Sequence, residues 1–386
     1  MQLAGRMSRL GTETAFEVLA RARALEAQGT HVVHLEIGEP DFDTPAHVID
    51  AGVNALRTGF THYGPSPGIP QLREAVSEHV AKTRGIDCKP ANVVVTPGGK
   101  PIMFFAMLAL VDEGDEVLYP NPGFPIYESM IRFCGGKAVP VPLREARAFS
   151  VDVEEIASLI TDRTKLLILN SPQNPTGGVM PKEDVAALVE VLRKKPHVNV
   201  LSDEIYSDIL YEGEHHSVLQ HEGMSERTIL LDGFSKTYAM TGWRLGYGVM
   251  PEALAAQVAR LQTNSTSCTA TFTQLAGVAA LRGDHGAVRA MIEAFRQRRD
   301  AIVDGLNAVP GFRCLRPKGA FYVFPNVEGT GIPAKELQSR LLDEAGVACL
   351  AGTAFGAHGE GYLRFSYANS LENIHEALSR IRKFVG

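Results

Sequence analysis

A lysine and an arginine lie in one glycine-flanked segment, G-F-S-K-T-Y-A-M-T-G-W-R-L-G, which covers residues 233–246. They are Lys236 and Arg244. A lysine amine captures a carbonyl group when burial or neighbouring cations lower its pKa, and the planar fork of an arginine suits a phosphate. The segment therefore predicts an anchor for a cofactor that carries both a carbonyl group and a phosphate.

Two short apolar runs lead directly into clusters of polar residues. Residues 167–169 precede N-S-P-Q-N-P-T-G at 170–177, and residues 198–201 precede Asp203, Glu204 and Tyr206. Apolar runs of this length are typical of buried strands, and the polar clusters are typical of turns. Because ligands of open α/β sheets collect at the carboxyl ends of strands, we expect these side chains to line a site.

The segment around Lys236 resembles the lysine-attachment pattern of the class I/II aminotransferases, the fold-type I pyridoxal-phosphate enzymes similar to aspartate aminotransferase. The resemblance extends over essentially the whole chain. It implies that Lys236 binds pyridoxal 5'-phosphate and that the chain moves an amino group from an L-amino acid to a 2-oxo acid, expected to be 2-oxoglutarate, by a ping-pong mechanism. One departure concerns the phosphate contacts, since many relatives carry serine where Gly233 stands.

The resemblance also implies roles around the cofactor ring. Asp203 would keep the pyridine nitrogen protonated, so that the ring can accept electrons. Asn174 and Tyr206 would donate to the phenolic oxygen, and the freed amine of Lys236 would act as a base. Glu204 is interpreted as a structural residue that points away from Asp203.

The phosphate is expected to contact main-chain groups in the turn V-V-V-T-P-G-G-K-P at residues 93–101. Exposed N–H groups at a helix start can hold an anion. By resemblance, Gly98, Gly99 and Lys100 supply these donors, with Arg244 and Ser235 beside them. Ser235 could replace the hydroxyl that Gly233 lacks.

Further positions that match the family concern ring stacking and the substrate. Phe124 is expected to stack on the pyridine ring, with Tyr127 as the competing choice. Arg364 resembles the arginine that binds the α-carboxylate, because its planar fork suits a carboxylate. The main chain at Gly38 is expected to approach the substrate beside Asn174.

Two positions suggest shared active sites in a homodimer. Tyr63 resembles a tyrosine that reaches the phosphate of the neighbouring subunit, and Thr266 is a second candidate for a contact across the interface.

The side-chain specificity stays open. Lys100 stands where some aspartate-using relatives place a lysine that meets the distal carboxylate, but a solvent-facing lysine is an equal alternative. Ala15 and Glu17 fall where such relatives carry small hydroxyl residues. A glutamate at position 17 would repel an acidic substrate side chain. Aspartate, aromatic and alanine-type donors are all compatible with the sequence.

Composition excludes several classes of protein. The chain has 386 residues, 45% of them hydrophobic, and a formal net charge of −6, with no basic region for a nucleic acid. Its five cysteines show no zinc or redox spacing, which favours reduced thiols and a cytoplasmic location. No apolar run is long enough to predict a membrane span, and no spacing predicts a metal site. The amino terminus is expected to form a helix over the site.

Strand-like runs alternate with amphipathic helices, which predicts an α/β fold with a mainly parallel sheet. The resemblance implies seven strands sandwiched by helices, plus a smaller α+β domain. We expect residues 1–45 to form an arm and part of the small domain, residues 46–275 the large cofactor-binding domain, and residues 276–386 the rest of the small domain. Arg244 is included in a strand expected over residues 244–249, and two short strands are expected over residues 320–324 and 362–365.

Rival activities use the same constellation. A carbon–sulfur β-lyase or a decarboxylating transferase is compatible with these residues. A regulator that senses pyridoxal phosphate would need a DNA-binding domain, for which the residues before Gly38 are too few.

Overall fold

The apolar runs in the first two thirds of the chain form one seven-stranded sheet covered by helices on both faces. The computed structural model of the protein describes residues 1–386, with twelve strands and twelve α-helices. The strands are β1 Val33–His34, β2 Val93–Thr96, β3 Glu116–Asn121, β4 Lys137–Pro142, β5 Thr164–Asn170, β6 Asn199–Asp203, β7 Thr228–Gly233, β8 Gly246–Val249, β9 Tyr322–Val323, β10 Val347–Ala348, β11 Leu350–Ala351 and β12 Leu363–Ser366.

Helices fill most of the chain between these strands. They are α1 Thr14–Glu26, α2 Ala46–Arg57, α3 Pro70–Arg84, α4 Lys100–Leu110, α5 Ile126–Phe133, α6 Val153–Leu159, α7 Lys182–Arg193, α8 Glu252–Ser265, α9 Thr271–Arg282, α10 Gly286–Asn307, α11 Ala334–Ala345 and α12 Leu371–Val385. None of them is long and apolar enough to cross a lipid bilayer.

The seven-stranded sheet has the strand order β2-β8-β7-β6-β5-β3-β4, and only β8 runs antiparallel to its neighbours. The central strands β5, β6 and β7 are buried almost throughout, which explains why they appear in the sequence as continuous apolar runs. The predicted α/β class and mainly parallel sheet are confirmed.

One edge of this sheet collects the residues with chemical functions. The parallel strands β5, β6 and β7 end there at Asn170, Asp203 and Gly233, and β8 begins there at Gly246. Gly233 pairs with Gly246 across the sheet. A Cβ atom on Gly233 would lie 2.9 Å from the Gly246 Cα, so a serine at this position would force the two strands apart.

Two smaller sheets bring the ends of the chain together. Strand β1 pairs in parallel with β10, and β12 lies between β11 and β9. A hydrophobic cluster that includes Val33, Phe295, Phe321, Phe365 and Ile381 joins these strands to the carboxyl-terminal helices. The division of the chain into domains stays a prediction.

Three predicted strand boundaries are wrong. Strand β8 begins at Gly246 rather than Arg244, because Arg244 adopts a left-handed conformation with φ of 53°. Strand β9 is limited to Tyr322–Val323, since Ala320 also has a positive φ of 55°. Strand β12 is Leu363–Ser366, one residue later than expected.

A buried ion cluster lies behind the carboxyl end of β6. Glu204 is 1% exposed and accepts hydrogen bonds from Arg84 Nε at 2.7 Å and from Ser202 Oγ at 2.7 Å, and it contacts His215 Nε2 at 2.8 Å. Burial alone would raise the pKa of Glu204, but His215 and Arg84 beside it lower that pKa overall. Glu204 therefore belongs to the framework that fixes the strand end at Asp203.

We expect Arg84→Met to destabilise the fold by about 3 to 5 kcal/mol, because it leaves the carboxylate of Glu204 buried without its arginine counter-ion. Denaturant unfolding measures this change. The matched control is Arg282→Met, which removes an exposed ion pair with Glu78 and should cost at most about 1 kcal/mol. Equal losses in the two variants would contradict the role given to Arg84.

Candidate active site

A cavity of about 350 Å³ lies at the carboxyl edge of the large sheet. Eleven of the predicted site residues line it: Gly38, Gly99, Lys100, Phe124, Asn174, Asp203, Tyr206, Ser235, Lys236, Arg244 and Arg364. Gly98 lies immediately behind the wall, next to Arg244, and Tyr63 lies outside the cavity on the surface. The cavity thus collects side chains from β5, β6 and β12 and from the loops that follow β7 and β1.

The amine of Lys236 points into this cavity and donates to the carbonyl oxygen of Gly38. Burial lowers the pKa of Lys236 from 10.5 to about 8, and the nearby cations of Arg364 and Lys100 act in the same direction. The carboxylates of Glu39 and Glu13 oppose this shift. An amine with this pKa is partly neutral near physiological pH, which a nucleophile or a base requires.

Asp203 is buried at the end of β6, where it lines the cavity. Its carboxylate accepts a hydrogen bond from the Tyr127 hydroxyl at 2.6 Å and one from the main-chain N–H of Ile205 at 3.3 Å. Burial raises the pKa of Asp203 to about 6, although the hydrogen bond from Tyr127 lowers it. A buried carboxylate of this kind suits a cationic N–H group placed against it.

The start of α4 and the side chain of Arg244 form the end of the cavity that suits a phosphate group. Gly99 precedes α4 without any capping side chain, so the amino-terminal end of the helix is open toward the cavity. Gly98 has φ of 88°, and a Cβ atom there would overlap Nη2 of Arg244. Arg244 Nη1 donates to the Thr241 carbonyl at 2.7 Å, which fixes the guanidinium against Gly98.

Arg364 lies at the other end, held between two aromatic rings. Its guanidinium carbon is 4.7 Å from the ring centre of Tyr322 and 4.8 Å from that of Phe355. Nη1 donates to Asn174 Oδ1 at 3.1 Å, Nη2 donates to the Glu36 carbonyl, and the buried Nε has no partner. A buried, unpartnered donor on a clamped guanidinium is a receptor for an anion such as a carboxylate.

Tyr206 is fully buried beside Lys236, with its hydroxyl 2.7 Å from the hydroxyl of Tyr322. Phe124 and Tyr127 differ in position. The Phe124 ring is half-buried at the cavity wall, whereas Tyr127 is completely buried and its hydroxyl donates a hydrogen bond to Asp203. The structure therefore favours Phe124 over Tyr127 for a contact with a bound ring.

The expectation that Glu17 faces the substrate is wrong. Helix α1 begins at Thr14, and its first turn carries Thr14, Ala15 and Phe16 to the cavity wall, while Glu17 is exposed to solvent. The carboxylate that this segment places in the cavity is that of Glu13, which precedes the helix and pairs with the amine of Lys100. Lys100 also lies over the Phe124 ring, 5.4 Å from its centre.

Sequence reasoning missed Glu13, Tyr127 as the partner of Asp203, and Tyr322. None of the three stands in a local pattern, since each meets its partner across a long separation in the chain. The only available signal for Tyr322 was its place in a short aromatic strand.

Comparison with known proteins defines the class. Residues 30–381 match the family described as aminotransferase class I and II. The chain is 41% identical to the aspartate aminotransferase of Pyrococcus abyssi, over 91% of both chains, and 40% identical to aromatic-amino-acid aminotransferase 2 of Thermococcus litoralis, over 92% of both. It superposes on the aspartate aminotransferase of Thermus thermophilus with maleate at a TM-score of 0.94, with 40% identity and 99% coverage of both chains. The chain belongs to the class I and II aminotransferases.

It is accordingly a pyridoxal-phosphate-dependent enzyme that acts on amino acids and 2-oxo acids. The residues of the cavity fit this cofactor. Lys236 offers an amine of lowered pKa, and Asp203 offers a buried carboxylate. Gly98, Gly99 and Arg244 form a cradle in which a Cβ atom on Gly98 would overlap the guanidinium.

We expect Lys236, in the protein stripped of cofactor, to react with a small amine-reactive label. The pH dependence of the labelling rate should have a midpoint near pH 8. Lys100→Met should raise this midpoint by a fraction of a unit and Glu13→Gln should lower it, because the first change removes a cation and the second an anion. Mass spectrometry of the Lys236 peptide after timed labelling measures both. Shifts of the same sign in the two variants would contradict this account.

Proposed function

We propose that this aminotransferase uses 2-oxoglutarate as its amino acceptor and Lys236 as the group that moves the proton. The observation that carries the proposal is the placement of two groups in one cavity, the Lys236 amine of lowered pKa and the clamped Arg364 with its unpartnered Nε.

The residues of the protein hold and orient the cofactor and the substrate, and they move protons. When bound, pyridoxal phosphate supplies the carbonyl group that captures an amine and the ring that accepts electrons. Lys236 Nζ would hold that carbonyl carbon, and as a free amine it would take a proton from the substrate Cα and hold it at Nζ. Asp203, kept in place by Tyr127, would accept the N–H of the ring nitrogen and so keep that nitrogen protonated.

Orientation of the cofactor falls to the remaining wall residues. The main chain of Gly98, Gly99 and Lys100 and the side chains of Ser235 and Arg244 bind the phosphate. Tyr206 and Asn174 would donate to the phenolic oxygen, and Phe124 would pack on the ring face.

The substrate α-carboxylate binds Arg364, whose Nε is free to donate, with Asn174 and the main chain of Gly38 beside it. The guanidinium is already fixed by two rings, so little side-chain entropy is lost on binding. One arginine serves both substrates, because each carries an α-carboxylate.

Lys100 receives the distal carboxylate of 2-oxoglutarate in exchange for Glu13. The Lys100 side chain is 50% exposed, so its ion pair with Glu13 is easily opened. With the pair closed, the wall beside it offers apolar groups from Ala15, Phe16 and Met103 to an uncharged side chain. A broad donor range follows, which agrees with similar identities to relatives named for aspartate and for aromatic amino acids.

The test is the visible and near-ultraviolet spectrum of the holoenzyme before and after single amino acids are added, followed by 2-oxoglutarate. We expect the cofactor band to change with a donor and to return with 2-oxoglutarate, and Lys236→Ala to show no cycle. A band that never returns, or release of pyruvate and ammonia without an acceptor, would contradict transamination to 2-oxoglutarate.

Lys100→Met provides the control for the acceptor. Its KM for 2-oxoglutarate should rise about tenfold or more, whereas its KM for alanine should change less than about threefold, because only the former has a distal carboxylate. An equal rise for both substrates would place the distal carboxylate elsewhere.

We also propose a homodimer with shared active sites. Tyr63 is 91% exposed, although it is a large aromatic residue. Near it, Ile49, Val53, Leu56 and Phe60 form an exposed apolar stripe along α2 and the turn that follows. A second copy of the chain would cover this stripe and receive Tyr63 at its phosphate end. Thr266 is exposed at the end of α8 and is a second candidate for this contact.

The proposed domain division is 1–45, 46–275 and 276–386. The pairing of β1 with β10 supports the assignment of the amino-terminal segment to the smaller domain.

A cytoplasmic location is proposed as well. It is supported by the five cysteines, all of which are free.

Mixing one variant with impaired cofactor binding and one inactive variant tests the shared sites. Tyr63→Ala should weaken cofactor retention, and Lys236→Ala should abolish the cycle. After the two proteins are unfolded together and refolded, about a quarter of all sites should again be complete, because each hybrid dimer contains one intact site. Absorbance cycling measures the recovery. No recovery in a mixture that forms dimers would show that Tyr63 serves its own subunit or none.

A further inference from the structure

Tyr322 connects three parts of the site, although no pattern in the sequence marks it. Its hydroxyl lies 2.7 Å from the hydroxyl of Tyr206. Its ring lies beneath the guanidinium of Arg364 at 4.7 Å. At Gly38, a Cβ atom would overlap the same hydroxyl, so the main chain of the substrate segment rests directly against Tyr322.

The direction of the hydrogen bond between the two tyrosines follows from a proton count. Burial raises the pKa of both Tyr206 and Tyr322, so each hydroxyl keeps one proton through the working pH range. If Tyr206 donates its one hydroxyl proton to the phenolic oxygen of the cofactor, the Tyr206 oxygen can only accept a hydrogen bond from the hydroxyl of Tyr322. Linked hydrogen bonds of this kind strengthen one another in a water-poor site.

We propose that Tyr322 is a positioning residue with two separable parts, a hydroxyl that strengthens the donation by Tyr206 and a ring that clamps Arg364. This inference rests on the proposed role of Tyr206 at the phenolic oxygen. The hydroxyl acts on the electronic state of the cofactor, and the ring acts on the binding of carboxylates. One side chain therefore joins the two ends of the reacting site.

The charged groups that face this pair of tyrosines are Arg364, Asp203, Lys236 and Glu13. Tyr322→Phe removes only the hydroxyl and leaves these four groups and the aromatic ring in place. Tyr322→Leu removes the ring as well. The two substitutions thus separate the two parts.

The first measurement is the pH midpoint of the visible absorbance change of the holoenzyme. Hydrogen bonds to the phenolate stabilise its anionic form and lower this midpoint. We expect Tyr206→Phe to raise the midpoint and Tyr322→Phe to raise it by a smaller amount. The double variant should match Tyr206→Phe alone, because the hydroxyl of Tyr322 acts through Tyr206.

The second measurement is the dissociation constant of succinate, a carboxylate that cannot react. We expect Tyr322→Phe to bind it within about twofold of the parent protein and Tyr322→Leu to bind it about tenfold more weakly, because a desolvated cation–ring contact is lost. The matched control is Tyr367→Phe, which removes a buried hydroxyl bonded to the Ala320 carbonyl outside the cavity and should change neither quantity.

An unchanged midpoint in Tyr322→Phe, additive shifts in the double variant, or normal succinate binding by Tyr322→Leu would each overturn the inference. Failure of the proposed function looks different. In that case the parent holoenzyme would show no cofactor band that depends on Lys236, or Tyr206→Phe would leave the midpoint unchanged. Thermal unfolding of each variant shows whether it folds.

Discussion

Removal from water is the constraint on which this site depends. Lys236, Asp203 and Arg364 all lie where burial opposes charge, and burial is the largest influence on the pKa of each. The lysine is brought to about 8 and the aspartate to about 6, so the two groups approach each other in pKa from opposite sides. Lys236 can therefore gain and lose a proton near neutral pH, whereas the buried carboxylate of Asp203 suits a cationic N–H group.

The backbone makes such burial possible by leaving out side chains at the points of closest approach. Gly233 and Gly246 allow β7 and β8 to meet at the sheet edge, and Gly98 leaves room for the guanidinium of Arg244. Glycine at position 233 is therefore the residue that the strand packing of this chain accommodates, and the sheet edge that holds Lys236 depends on it.

The fold and the central side chains could be predicted because their signals are local. Strands β5 to β7 are continuous apolar runs, and Lys236, Asp203 and Asn174 stand directly behind such runs or inside a dense motif. Glu13, Tyr127 and Tyr322 could not be predicted, since each acquires its role from a partner far along the chain. Glu17 was misplaced for a related reason: the direction of a side chain at a helix start depends on where the helix begins, and α1 begins at Thr14.

The ion pairs of Glu204 and Glu13 differ in their exposure to solvent. This exposure decides whether a pair stabilises the fold or can open easily. Glu204 and Arg84 are 1% and 5% exposed at the side chain, so opening their pair would leave an uncompensated buried charge. Glu13 and Lys100 are 19% and 50% exposed, and an exposed pair contributes only about 0 to 1 kcal/mol. A substrate carboxylate that displaces Glu13 meets a small opposing free energy, while Glu13 turns toward water. On the proposed exchange at Lys100, the enzyme would accept a dicarboxylate with the pair open and an apolar side chain with the pair closed, because neither arrangement leaves a charge buried and unpaired.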